Sequence, residues 1–185
     1  MENESPRRLE VDSKTIQRAL EGNQSALAHI YDAYAKPIYR YHFSRVGNAP
    51  DAEDLTAQTF LAVLESLVRY QHRDNFSAWI FQIARNKLMD HFRRNHSHGE
   101  IDESVVDPAQ GDVLEALVRD EARARLKSLL HLLDEEEREL IRLRYAAELS
   151  FVEIAQLLGR KEYAVRKATR RILDRLSIQM EAQNA

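Results

Sequence analysis

The chain has 185 residues, 44% of them hydrophobic, which is enough for one or two packed domains and excludes a disordered polymer. It has no cysteine, so disulfide scaffolds and Cys-ligated zinc are excluded, and its net charge of −3 argues against indiscriminate binding to nucleic acid. The first residues, MENESPRRLEVDSK, lack the apolar core of a signal peptide, and no apolar run approaches the ~20 residues that span a bilayer, so a cytoplasmic location is expected.

Residues 1–12 are expected to be disordered. Four helices are then expected in an N-terminal domain over 13–95. The first runs about Ser13 to Glu21 and stops at Gly22. The second runs about Gln24 to Val46, with Leu27, Ile30, Tyr31, Tyr34, Ile38 and Tyr41 as its apolar stripe, and Pro37 is expected to bend or split it. The third, about Asp51 to Tyr70, would bury Ala57, Phe60, Leu61, Leu64, Leu67 and Val68. Its opposite face holds Asp54, Gln58, Ala62 and Glu65, with Asp51, Glu53 and Asp54 in its first turn. Carboxylates there also favour the helix dipole. No Lys or Arg occurs between Asp51 and Glu65, however, and such an acidic face suits a basic protein partner.

The fourth helix, about Ser77 to Arg94, puts Phe76, Ile80, Ile83, Ala84, Leu88 and Phe92 inside, and Gln82, Arg85, Asn86, Met89 and Arg93 outside. Arg85, Lys87, Arg93 and Arg94 outweigh Asp90. The loop before it, Gln71-His72-Arg73-Asp74-Asn75-Phe76, mixes aromatic, amide and basic side chains, a combination that can hold unpaired bases. Trp79 is expected to be partly buried and not a stacking platform.

Residues 96–112 hold Gly99, Pro108 and Gly111 in an acidic, aperiodic stretch, read as a flexible linker. A C-terminal four-helix domain over 113–178 and a tail over 179–185 follow. Its helices are expected at about Val113 to Leu133 and Asp134 to Ala146, then as a pair within Ser150 to Leu176. The pair has helix-turn-helix spacing: small Ala155 at the crossing, Gly159 at a turn that needs positive φ, and Val165 plugging the second helix onto the first. Ser150 and Glu153 form an S-x-x-E capping box. In the second helix Val165, Ala168, Ile172 and Leu176 should face inward, and Tyr163, Arg166, Lys167, Arg170 and Asp174 outward. Seven Lys or Arg stand against Glu162 and Asp174 between Arg160 and Arg175. A cationic helix on an acidic chain is placed charge, suited to DNA phosphates.

These pieces, in this order, resemble the sigma factors of bacterial RNA polymerase, and among them the small two-domain extracytoplasmic-function group, over about Ile16 to Leu176. The resemblance rests on DAEDLTAQTFLAV, WIFQIARNKLMDHFRR and LSFVEIAQLLGRKEYAVRKATRRILDRL. It implies that Asp51, Glu53, Asp54, Leu55, Gln58 and Phe60 lie on or support the surface that docks on the clamp coiled coil of the largest polymerase subunit. It implies that the loop from Gln71 to Phe76 captures a flipped −10 base, with Arg85, Asn86, Lys87, Arg93 and Arg94 on the surrounding DNA. Arg160, Lys161, Tyr163, Arg166, Lys167, Arg170 and Arg171 would face the −35 major groove and its phosphates. The acidic linker, with Glu100, Asp102, Glu103, Asp107 and Asp112, would run through the RNA-exit path.

The chain departs from the family pattern where Arg160-Lys161 replaces an apolar and a small capping residue, and where Tyr163-Ala164 replaces Gly-Thr. The start of the recognition helix is therefore expected to be set differently. The expected partners are core RNA polymerase, promoter DNA and an anti-sigma protein. No cofactor, metal or catalytic residue is expected. The competing reading is a stand-alone dimeric helix-turn-helix regulator, but it leaves the acidic third helix and the aromatic-basic fourth without a role. A metal reading of Asp90, His91, His96 and His98 lacks ligand spacing on a rigid element.

Overall fold

The computed structural model describes residues 11–71, 75–95 and 128–183. All regular elements among them are helical: α1 (Ser13–Leu20), α2 (Gln24–Val46), α3 (Ala49–Leu67), α4 (Phe76–Asn95), α5 (Glu135–Ile141), a π turn (Arg142–Ala146), α6 (Phe151–Leu158) and α7 (Glu162–Gln183). The expected linker 96–112 and most of the helix expected from Val113 to Leu133 lie outside the described residues. Only 128–131, at the end of that helix, are seen to be helical.

Helix starts follow short polar side chains that accept from otherwise unpaired backbone N–H groups. Asp12 accepts from Thr15 N at 2.6 Å, Asn23 from Ala26 N at 3.0 Å and Asn48 from Asp51 N at 2.9 Å. Asp134 with Glu137 and Ser150 with Glu153 form reciprocal capping boxes. Gly47 ends α2 at φ 76° and Gly159 ends α6 at φ 63°.

Helix α2 runs unbroken through Pro37. The ring removes one backbone donor, yet Pro37 is buried and Ile38 and Tyr41 beyond it anchor the continuing helix in the core.

The inner face of α3 differs from expectation. Ala52, Leu55, Thr56, Thr59, Phe60, Val63 and Leu67 are buried, whereas Ala57, Leu61, Leu64 and Val68 are exposed. Two threonines can take inner positions because each hydroxyl donates to its own helix: Thr56 Oγ1 to Ala52 O and Thr59 Oγ1 to Leu55 O, both at 2.7 Å. Leu61, Leu64 and Val68 lie on the outer face instead.

Helices α1 to α4 form an N-terminal bundle, and α5, the π turn, α6 and α7 form a C-terminal one. The two are packed together, α4 on α6 and α2 on the π turn, and their buried side chains form one connected apolar cluster.

Candidate nucleic-acid interface

The turn between α6 and α7 is a Schellman closure: Arg160 N donates to Ala155 O at 2.8 Å and Gly159 N to Gln156 O at 3.3 Å. Helix α7 then starts with no small capping side chain. Lys161 supplies only its carbonyl, which accepts from Ala164 N and Val165 N at 2.9 and 3.1 Å. Val165 and Ile172 are buried, with Ala168 and Leu176 half-buried, and Thr169 joins them by donating its hydroxyl to Val165 O at 3.0 Å. Arg160, Lys161, Tyr163, Arg166, Lys167, Arg170 and Arg171 are all exposed; Arg160 and Lys161 precede α7, with Arg160 Nη1 3.9 Å from Glu136 Oε2, and the other five lie along the first half of α7.

Arg166 is held in place. Its Nη2 donates to Glu162 Oε1 at 2.5 Å, and its guanidinium lies 4.7 Å from the Phe151 ring centroid. Arg144 lies 4.3 Å from the same ring and donates to Leu149 O at 3.0 Å. Burial, with a smaller contribution from neighbouring Arg166, lowers the pKa of Arg144. Two cations stacked beside one aromatic ring form a compact positive cluster. Neither Arg144 nor Phe151 stands out in the sequence, because Arg144 falls in the interrupted turn Arg142–Ala146, where a regular helical period mispositions it.

The basic face of α4 is more heavily engaged. Lys87 is half-buried, whereas Asn86, Arg93 and Arg94 are exposed. Asn86 accepts from Gln82 at 2.9 Å, Arg93 pairs with Asp90 at 2.9 Å and Arg94 reaches Asp90 O at 3.3 Å. Arg85 instead points to the C-terminal bundle, with its Nε 3.6 Å from Glu139 Oε1.

In the preceding loop Gln71 is exposed, while His72, Arg73 and Asp74 lie outside the described residues. Asn75 is occupied as a cap, accepting from Ser77 N at 3.0 Å. Phe76 is not a free ring: it is buried, with its centroid 5.9 Å from Tyr34, 5.2 Å from Tyr70 and 5.5 Å from Trp79. Trp79 is half-buried, as expected. These rings pack on one another at the start of α4, with Phe76 at their centre.

On α3, Leu55 and Phe60 belong to the core and can only support a docking surface. Asp51 is half-buried; it accepts from Asn48 Nδ2 at 3.0 Å and faces His91 Nε2 at 3.8 Å. Glu53 and Asp54 are exposed, and Gln58 donates to Asp54 Oδ2 at 2.5 Å. The outward Leu61 and Leu64 continue this surface, 61% and 49% exposed, so the acidic face has an apolar flank that helical periodicity alone would place inside.

Among the described residues no three His, Cys, Asp or Glu are grouped to hold a metal, and no helix is long and apolar enough to cross a membrane. His96 and His98 lie outside them.

Comparison with known proteins matches residues 30–98 to the family "Sigma-70 region 2" and residues 129–177 to "Sigma-70, region 4". The chain is 37% identical over 176 residues to the ECF RNA polymerase sigma factor ShbA of Streptomyces griseus, covering 87% of this chain and 91% of that protein. It is 36% identical over 160 residues to the ECF RNA polymerase sigma factor BldN of Streptomyces coelicolor, covering 82% of this chain but only 59% of that longer protein. Among solved structures, CnrH in complex with the cytosolic domain of CnrY superposes with a TM-score of 0.67 at 26% identity, covering 91% of this chain and 96% of CnrH.

Proposed function

The chain belongs to the extracytoplasmic-function sigma factors of RNA polymerase, and on that footing we propose how its surfaces divide the work of promoter-specific initiation. Core polymerase docks on α3 through Glu53, Asp54 and Gln58, with Leu61 and Leu64 beside them and Leu55 and Phe60 setting the helix from beneath. An acidic patch with an apolar flank gives both steering and buried area, which a purely charged surface lacks. The outward face of α7, with Arg160 and Lys161 just before it, enters the −35 major groove. Arg or Lys reaching guanine edges there would add about 1–3 kcal/mol of discrimination per good contact.

Helix α4 and the loop before it take the melted −10 strand, with Arg85, Asn86, Lys87, Arg93 and Arg94 on its backbone. Each contact is modest, but the second engages at the effective concentration set by the first. The chain acts by binding and not by catalysis, works in the cytoplasm with the polymerase, and takes an anti-sigma protein as its regulator. CnrH, solved with another protein's cytosolic domain bound, supports that last reading by likeness.

The carrying observation is the segregation of charge: Arg160, Lys161, Arg166, Lys167, Arg170 and Arg171 are exposed on and just before α7, while α3 presents carboxylates and no Lys or Arg between Asp51 and Glu65. The test is reconstitution. Purified chain plus core polymerase should give transcripts starting at defined promoters, whereas the chain alone should bind duplex DNA weakly. Tight binding of the free chain to a palindromic duplex, with no transcript on adding core, would overturn the assignment.

A further inference from the structure

The basic side chains of α7 are not equally constrained, and the difference comes from residues outside that helix. Arg166 is 57% exposed, yet it is fixed on two sides. Its Nη2 donates to Glu162 Oε1 at 2.5 Å, and its guanidinium carbon lies 4.7 Å from the Phe151 ring centroid. Arg170, one turn further on, is 85% exposed, and its Nε comes only within 4.0 Å of Asp174 Oδ2. Among the described residues no other cation between Arg160 and Arg171 lies over an aromatic ring.

The ring is itself held. Phe151 is the first residue of α6, so the Ser150–Glu153 capping box fixes its backbone, and its side chain is half-buried. Arg144 lies 4.3 Å from the same centroid, is buried, and donates from Nη1 to Leu149 O at 3.0 Å. It leaves the π turn, where Ala147 N donates to Arg142 O at 2.9 Å, one residue wider than an α turn. Wide turns of this kind concentrate at functional sites. Stability is a weak reason for an arginine there, because an apolar side chain in place of a buried ion is often neutral or stabilising. Its effect on Arg166 is directional: Arg144 repels that guanidinium, Glu162 attracts it, and the ring sets its plane.

We propose that Phe151 and Arg144 are positioning residues for −35 recognition: together they preset Arg166 as a fork for one guanine, so that one base preference of α7 is set from the helix and turn before it. The inference rests on the proposed placement of α7 in the −35 groove. An arginine already fixed in its binding geometry loses less rotamer freedom on contact. The pair with Glu162 uses one of five N–H groups and leaves the rest of the planar fork for a ligand with two acceptors side by side. In the major groove guanine offers that pair as O6 and N7. A base edge lies in one plane, so it gains from a ring-held guanidinium more than a phosphate does, whose oxygens accept from many directions.

The test uses the full chain with core polymerase and a DNA library randomised across the −35 element of one promoter that the complex transcribes. Sequencing the bound DNA gives the base preference at each position. Wild type should favour guanine at one position of one strand, and Arg166→Ala should make that position indifferent. Phe151→Leu keeps an apolar side chain without a π face; it should lower that one preference about tenfold and leave the others as they are. Phe151→Tyr keeps the face and should keep the preference, while Arg144→Met should weaken it as Phe151→Leu does. Adding Phe151→Leu to Arg166→Ala should change nothing further at that position, because the ring acts only through the arginine. The salt slope on the parent promoter should hold in Phe151→Leu, since no phosphate contact is withdrawn. Unchanged core affinity is the control for an intact chain. The proposal is overturned by a preference that survives Phe151→Leu, falls equally in Phe151→Tyr, falls at every position alike, or is for another base; in each case Arg166 remains a reader of the element. If Arg166→Ala itself leaves every −35 preference unchanged, the placement of Arg166 in the groove fails, and the inference with it.

Discussion

His42 shows how a single side chain ties the fold to pH. It is fully buried on α2, with Nε2 3.1 Å from Thr59 Oγ1. Since that hydroxyl already donates to Leu55 O, Nε2 must be the protonated nitrogen and Nδ1 the acceptor. Nδ1 is buried without a hydrogen-bond partner, so a second proton there would have nothing to bond. Burial above all, and the nearby charge of His91, depress the His42 pKa from 6.5 to about 4. The unfolded chain therefore takes up this proton first. The stability that a neutral His42 allows is complete above about pH 6.5 and is lost as pH falls from there toward 4, by up to about 3 kcal/mol. Urea titrations across that window should show a steeper acid decline for wild type than for His42→Leu; equal slopes would show that His42 is not the coupled group. None of this is legible in the sequence, where His42 looks like any polar residue beside an aromatic stripe. The same blindness misplaces Leu61, Leu64 and Val68, because counting apolar periodicity cannot foresee that Thr56 and Thr59 satisfy their hydroxyls internally and go inside instead.

At the scale of elements the sequence is most readable where chemistry is local. Ser150 and Glu153 are three residues apart and cap each other, with Ser150 N donating to Glu153 Oε2 at 2.7 Å and Glu153 N to Ser150 Oγ at 3.2 Å. Gly159 adopts the left-handed turn its position in the motif demands. Both features depend on a few neighbouring bonds, so no distant contact could override them. The interrupted helix at Arg142–Ala146 has no such local mark and reads as regular. The energetic consequence separates two variants. A Cβ on Gly159 would meet nothing within 4 Å, so Gly159→Ala costs only the left-handed conformation, about 1 kcal/mol. Ser150→Ala loses one cap bond and should also cost about 1 kcal/mol. Gly159→Val adds β-branching to the same disfavoured φ and should destabilise more than either. Denaturant melts should therefore place Gly159→Val below the other two variants, and both of those below wild type; Gly159→Ala at wild-type stability would show that the turn relaxes to another geometry.

Across the whole molecule, the helical fold and the two functional halves are readable because charge is sorted by element: carboxylates on α3, cations on α4 and α7. How the halves sit together is not, since Arg40 with Glu148 or Tyr41 with Glu139 joins residues roughly a hundred positions apart, and no periodicity links them. The sorting nevertheless makes a separable prediction. Asp54 is exposed, and its described contact is with Gln58 on its own helix, so Asp54→Arg should leave the fold intact while reversing the charge offered to polymerase. Core affinity should fall, and adding salt should narrow the gap from wild type, because the new repulsion is screened. Arg166→Ala with Arg170→Ala should do the opposite: core affinity is kept, but the promoter complex weakens and its log–log salt slope drops by up to about two, one for each arginine withdrawn from a phosphate. Arg166 pairs with Glu162 and Arg170 faces Asp174, so a drop nearer one would leave a single phosphate contact to the two together. Core affinity unchanged in Asp54→Arg would remove α3 from the docking surface. An unchanged salt slope in the double variant would remove both arginines from the phosphates and leave those to Arg160, Lys161, Lys167 and Arg171.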